Sequence, residues 1–444
     1  MKRIAIAIFV LALSTAVFAQ TQEPPAPVSG APQAADNAEP SPAYEPTDRP
    51  LSGIQSQDIG TPSGSRNTLV PSFTFSGGWD SNAPRLTSSG QTQSSATTTL
   101  AGGLELNRET RSSQTSLGYN GGGQIYSASS DLNSQFHRFS VSQNFIVGRW
   151  GFLVADGLSY QKDAYTSFPS LLFPGLPGGP GAPGYQPGVP PGESIIGENV
   201  ARINNTSSGQ ITYGFSRSTS LTANASYGLL HFFENADLLN TRQLSTGAGL
   251  DHKFGRNTIG VNYQLTKFSY ENFPEKFDSH MVQLVFSHVL TGRWSFQAGG
   301  GPAIVVSDFA GFNRTQVYGS GHVGLMYHMP MTDLGLQYSR SVTNGSGALP
   351  GAVTDQVGLT IGKKLTKSLS FNGAGGYARN SGTFVNSRFN TINVGAGISR
   401  TVGRNATVSV GYSGQKQTGS QYSGLSRHSV VVSLNWRFRP IPVR

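Results

Sequence analysis

The 444-residue chain reads as an all-β protein: a transmembrane up-and-down antiparallel β-barrel of about 18 strands, with 16 the nearest alternative, after a disordered N-terminal arm. Three observations predict it. Only 36% of residues are hydrophobic and 12% charged, too little apolar mass for a thick core and too little charge for a typical disordered chain. From Leu69 onward, apolar and polar side chains alternate in extended segments of about 10–13 residues. The connections between those segments alternate between tight and long. A closed sheet with lipid outside and water inside needs apolar residues at only about every second position.

The N-terminal elements come first. Lys2 and Arg3 precede the apolar run IAIAIFVLAL, and AVFA ends at Ala19. A basic start, a run of about ten apolar residues and small residues at the cleavage positions predict a signal peptide over 1–19. A spanning helix needs roughly 20 apolar residues. No cysteine follows, since the chain has none, which excludes a lipid-anchored cysteine, disulfides and thiol chemistry. Residues 20–66, rich in Pro and Ala with six acids and two bases, read as the disordered arm.

The barrel is expected over 67–438. Strands begin near Leu69, Thr97, Gln114, Ser134, Trp150, Asn204, Thr219, Thr241, Thr258, Asp278, Trp294, Gln316, Asp333, Asp355, Ser368, Arg388, Ala406 and Ser426. The tight connections resemble one another (FIVGRWGF, HKFGRNTIG, VLTGRWSF, KKLTKSLSF, RTVGRNATV), each with a basic residue in or beside the turn. In TIGVNYQL, Ile259, Val261, Tyr263 and Leu265 share one face, with Gly260, Asn262 and Gln264 on the other. Trp79, Trp150, Trp294, Trp436, Tyr270, Tyr327 and Phe438 lie near strand ends, where the aromatic girdles of a membrane barrel belong. After the signal, no stretch of helical period is long enough to cover the sheet, so lipid is expected to cover it.

The last strand, HSVVVSLNWRF, puts Val430, Val432, Leu434, Trp436 and Phe438 on one face. It resembles the C-terminal signal read by the outer-membrane assembly machinery, with Trp436 and Phe438 as its closing aromatics and 439–444 as an extension beyond it. Near the first strand, FTFSGGWDSNAPR resembles the Tyr-Asp-Ser-Asn stretch of bacterial outer-membrane β-barrels often linked to exopolysaccharide export. Asp80, Ser81 and Asn82 match, and Trp79 stands at the tyrosine. The resemblance implies a porin-like protein of the outer membrane, and carries no catalytic residue.

No enzymatic step is expected. The eight histidines form no metal-ligand spacing, and with abundant serine any Ser–His pairing lacks specificity, so no catalytic, cofactor or metal residue is assigned. His322 and His328 are expected to share a sheet face. From Asn67 on, 28 basic side chains face 17 acidic ones. Arg149, Arg256, Arg293, Lys363, Lys364 and Arg404 fall at the tight turns, where a periplasmic rim would steer anions, whereas Asp131, Glu193, Glu271, Asp308 and their neighbours fall at the other end. The unusually long third outer connection, with Leu171, Leu172, Phe173, Leu176 and Glu193, is expected either to constrict the lumen or to cap it from outside.

The expected function is passive passage of hydrophilic, preferentially anionic solutes. The alternatives are an exopolysaccharide conduit and a plugged structural barrel. Expected partners are outer-membrane lipid, the assembly machinery and polysaccharide or small hydrophilic solutes, with no nucleic acid for an exported chain; the oligomeric state stays open.

Overall fold

The computed structural model describes residues 67–83, 93–110, 112–162, 195, 200–233, 238–271, 273, 276–309, 312–345, 348–419 and 424–443. The expected signal and arm, and Leu171, Leu172, Phe173, Leu176 and Glu193, lie outside them.

Eighteen strands close into one antiparallel barrel. They are β1 (Thr68–Asp80), β2 (Ser95–Glu109), β3 (Ser113–Tyr126), β4 (Ser134–Val147), β5 (Trp150–Gln161) and β6 (Arg202–Gly214). Next come β7 (Thr219–Phe232), β8 (Thr241–Phe254), β9 (Asn257–Tyr270), β10 (Lys276–Val289), β11 (Trp294–Phe309) and β12 (Phe312–Met329). The last six are β13 (Thr332–Thr343), β14 (Ala352–Lys364), β15 (Leu369–Gly382), β16 (Arg388–Val402), β17 (Ala406–Gly419) and β18 (Leu425–Arg437). Each pairs with its chain neighbours, and β1 closes the ring on β18, from Ser72 opposite Arg437 to Asp80 opposite Ser429. Every expected strand start falls within four residues of the observed one.

The alternation becomes two faces because directly paired residues share a side of the sheet. Phe73 pairs with Trp436, and Phe75 with Leu434. On β18 the outward Val430, Val432, Leu434 and Trp436 are 41–50% exposed, while Ser433 between them is 8% exposed. In water that outward band would be an unstable surface; in hydrocarbon it is the covering that the barrel requires. Its inner-end girdle includes Trp150 stacked near Tyr213, at 4.5 Å between ring centres, and Trp294 near Tyr327 at 4.3 Å. Tyr270 departs from the expected girdle. It faces inward and is 7% exposed, because strand parity, not position along the strand, decides which face a residue joins.

The inward face is a polar lining in which many small side chains pair with one another. Ser245 Oγ donates to Thr266 Oγ1 at 3.1 Å, Thr354 Oγ1 to Asn380 Oδ1 at 2.8 Å, and Thr391 Oγ1 to Gln417 Oε1 at 3.1 Å. Such rows keep buried hydroxyls paired without the bulk that would fill the lumen. The turns at one end are tight. Gly148, at φ 61°, gives the β4–β5 turn a left-handed position that a side chain would strain.

The expected extension is not a free tail. Ile441–Pro442 forms a two-residue strand, β19, against Leu69 and Thr68. Pro71 and Pro440 each lack an N–H, so the ladder breaks between β18 and β19 and resumes one residue out of register.

Candidate functional site

The outer end of the barrel, opposite the tight turns, holds the features that define a passage. The first is the seam between β1 and β18. Arg427, on β18, donates from Nε and Nη2 to Asp80 Oδ2 at 2.8 and 2.5 Å, and Asp80 Oδ1 accepts the Asn82 N–H at 3.0 Å. Ser81 Oγ accepts the His428 N–H at 2.8 Å, and Asn82 Nδ2 donates to the Ser426 carbonyl at 3.2 Å. Asp80 and Asn82 are 2% and 1% exposed. The Asp-Ser-Asn motif therefore acts as a clasp between the first and last strands, which explains why one acidic, one hydroxyl and one amide residue stand there in succession.

The second feature is an apolar strut across the mouth. Phe268, Tyr270, Phe277 and Val305 face inward at the outer ends of β9–β11 and pack with Tyr318 of β12. The β13–β14 connection folds onto them: Tyr270 Oη donates to the Asn344 carbonyl at 3.2 Å. Gly351, at φ 81°, sits where an added Cβ would meet the Phe277 ring at 2.8 Å and Thr383 Oγ1 at 2.7 Å. Phe384, between β15 and β16, stacks towards Phe277 at 5.5 Å. Further round, Leu349 packs with Phe389 of β16, Ala352 and Ile195. The strut thus ties β9–β10 to β16. Ile195, the one described residue within 163–199, brings the third outer connection into this cluster, while the seventh and eighth connections form most of it.

The third feature is a basic wall. In the closed ring of eighteen, β5 and β14 are nine strands apart, so β4–β6 face the strut across the lumen. There Arg138 of β4 donates to Gln161 Oε1 of β5 at 3.1 Å, and Gln161 pairs with Arg202 of β6. Arg314 and Arg427 also face inward near the outer ends of β12 and β18. Among described inward-facing groups at this end, Asp80 is the opposing carboxylate, already bound to Arg427.

Of the acids the sequence groups at the outer end, Glu193 lies outside the described residues, together with Asp163, Glu198, Glu234, Asp237 and Glu275. Glu271 belongs to the outward face, as do Asp278 and Asp355, and Arg242, Lys267 and Arg340 bind these three there. The expected rim residues do lie together: Arg149, Arg256, Arg293 and Arg404 stand in the tight turns, Lys363 faces outward and Lys364 inward, all exposed. Inward-facing Glu105, Glu109, Asp251 and Asp333 interleave with Lys253, Lys364 and Arg437 at that end, so the inner mouth is mixed rather than uniformly basic. Arg437 itself binds Glu105 at 2.8 Å.

Sequence reasoning missed Arg138, Arg202, Arg314 and Arg427, although their parity was readable: each alternates with the outward residues of its own strand. Trp436 and Phe438 face outward, 43% and 50% exposed. His322 and His328 share the inward face, but His328 pairs with Asp333, and no group of three or more metal-binding side chains occurs among the described residues. Ser426 Oγ lies 3.5 Å from His428 Nε2, yet His428 Nδ1 is bound to Tyr412 rather than to an acid.

Glu271, just past β9, ties the outer ends of three strands. It accepts from Asn240 at 3.0 Å and Arg242 at 2.6 Å, while Asn240 accepts the Phe232 N–H at 2.7 Å. The Asn240 hydrogen bond, then Arg242 and His231, hold the Glu271 carboxyl below its ordinary range. A lowered carboxyl stabilises the fold above its unfolded-state pKa and stops doing so as pH falls through the folded value. The difference in urea midpoint between wild type and Glu271→Gln is therefore expected to be present at neutral pH and to vanish in acid. A difference that grows as pH falls would refute this.

No family model and no curated protein matches the chain. Solved structures do. OccK2 (OpdF) of Pseudomonas aeruginosa in complex with glucuronate aligns with 84% of this chain and 100% of its own, at 13% identity and a TM-score of 0.44. OpdK of the same organism with vanillate gives 83%, 99%, 10% and 0.44, and a BenF-like porin from Pseudomonas fluorescens Pf-5 gives 84%, 100%, 11% and 0.44. A ferric-catecholate import receptor, Fiu from E. coli K12, aligns with 84% of this chain at 7% identity and a TM-score of 0.43. Function therefore rests on this chain's own residues.

Proposed function

We propose that this chain is an outer-membrane channel for passive passage of hydrophilic solutes, with a preference for anions. The observation that supports it most is the outer mouth. A polar-lined, closed barrel carries there an apolar strut on one side and Arg138, beside the buried Arg202, on the other. Water-filled passage follows from the polar lining, since barrels of 16–18 strands are wide enough to enclose an aqueous channel. Preference for anions is argued from inward-facing guanidinium groups near this mouth, where low-dielectric walls focus their field. The reading involves no chemical step. Export by 1–19 and assembly through Trp436 and Phe438 belong to the same reading. The Asp80–Asn82 motif is accounted for by the seam and adds nothing in favour of polysaccharide.

The test is reversal potential under a salt gradient for the double variant Arg138→Gln, Arg202→Gln. Its anion-to-cation permeability ratio is expected to fall about threefold relative to wild type. An unchanged ratio in a correctly folded variant contradicts the assignment of these two residues.

A further inference from the structure

The outward face carries a second pattern near its outer end. Tyr338, Tyr377 and Tyr412 face lipid on β13, β15 and β17. Each hydroxyl is engaged by a polar group closer to the outer end: Tyr338 donates to Asp355 at 3.0 Å, Tyr377 to Asn390 at 3.0 Å, and Tyr412 is bound to His428 at 2.8 Å. Such rings, apolar in body and wet at the tip, mark the level where hydrocarbon gives way to headgroups.

Beyond them on the same strands stand Arg340, Arg379 and Lys416, two, two and four positions further out. At strand rise, that places them roughly 7–13 Å past the tyrosines, in the headgroup layer. Arg388, at the start of β16, stands between Arg379 and Lys416 in strand order. Pairing places all four on the outward face. The carboxylate among them is Asp355, which binds Arg340 Nη1 through both oxygens at 2.9 and 3.1 Å. Arg379 and Lys416 have no ion-pair partner among the described residues. On β8 and β9 the outward cations Arg242 and Lys267 are neutralised, by Glu271 at 2.6 Å and Asp278 at 3.3 Å. Arg379 and Lys416 thus place two cations without ion-pair partners among the described residues over β15–β17.

We propose that this surface binds a phosphorylated glycolipid of the outer leaflet. Its phosphates meet Arg379 and Lys416, and its acyl chains lie on Leu336, Leu359, Val394 and Val410, which are 45–53% exposed. Arg379 and Lys416 are two strands apart, roughly 10 Å, a span suited to a sugar headgroup bearing two phosphates. Guanidinium and ammonium groups bind phosphate strongly where water is scarce. The inference rests on the membrane placement and orientation proposed above, and not on conduction.

The test is native mass spectrometry of the full chain in detergent, with diphosphorylated lipid A and its dephosphorylated form as probes. Wild type is expected to retain the phosphorylated lipid in preference, and Arg379→Gln, Lys416→Gln to retain it about tenfold less. The control Arg242→Gln, Lys267→Gln is expected to behave as wild type, and heat-dependent gel mobility verifies that each variant is folded. Equal retention of both lipids by wild type, or equal loss in both double variants, overturns the proposal. A barrel that conducts but does not discriminate the lipids loses this inference alone. One that discriminates the lipids but does not conduct loses the channel reading alone.

Discussion

Replacing Asp80 with alanine is expected to lower the unfolding free energy of the barrel by about 3–5 kcal/mol, the usual cost of leaving one member of a buried ion pair without its partner. The side chains of Asp80 and Arg427 are 3% and 12% exposed, so water does little to compensate. The loss falls at the seam, where closure brings together residues 347 positions apart in sequence. Asp80→Asn keeps an acceptor for the Asn82 N–H and is expected to lose less. Arg427→Ala should resemble Asp80→Ala, whereas the double variant should lose less than the sum, because no charge is then stranded. Urea unfolding followed by tryptophan fluorescence reads this directly, since Trp79 adjoins the clasp on the outward face. Additive losses would mean that Asp80 and Arg427 do not act as a pair.

Excising 345–350 and joining the ends of β13 and β14 with a short Gly-Ser linker is expected to raise single-channel conductance about twofold or more, towards that of an unobstructed 18-stranded wall. The segment supplies Leu349, 2% exposed, and leads into Gly351 against Phe277. Without it, the packing of Leu349 on Phe389 is lost, the Phe277–Phe384 contact alone links β10 to the β15–β16 side, and the mouth is expected to widen on the side facing Arg138. Anion preference is expected to weaken at the same time, since a wider, wetter mouth screens its guanidinium groups more effectively. A point variant keeps the loop in place as a control: Leu349→Ala should loosen the packing and produce noisier, not larger, steps. Unchanged conductance after excision would mean that the strut does not limit flow.

The barrel was legible in the sequence because its organising signal is local. Alternation of Ile259, Val261 and Tyr263 with Gly260 and Asn262 fixes both the strand and its faces without knowledge of any distant residue. The mouth was less legible for the opposite reason. Inward Phe268, Phe277 and Val305 break the apolar-out rule, and part of what they pack against, Phe384 and the β13–β14 connection, lies some 40–120 residues away in sequence. Position along a strand indicates which end a residue occupies but not which face: Asp355 and Arg427 lie at the same end, one in the outer surface and one on the inward face. Asp80–Asn82 was visible as a motif, but its role required knowing that β1 and β18 meet.

The proposed function is an open, anion-preferring channel. Single-channel recording of the folded full chain in a planar bilayer, with reversal potential under a salt gradient, tests it most directly. Stable ohmic steps with a reversal potential displaced towards the anion's equilibrium potential are the predicted result. Correctly inserted barrels that pass no current, or steps that prefer cations, would contradict it.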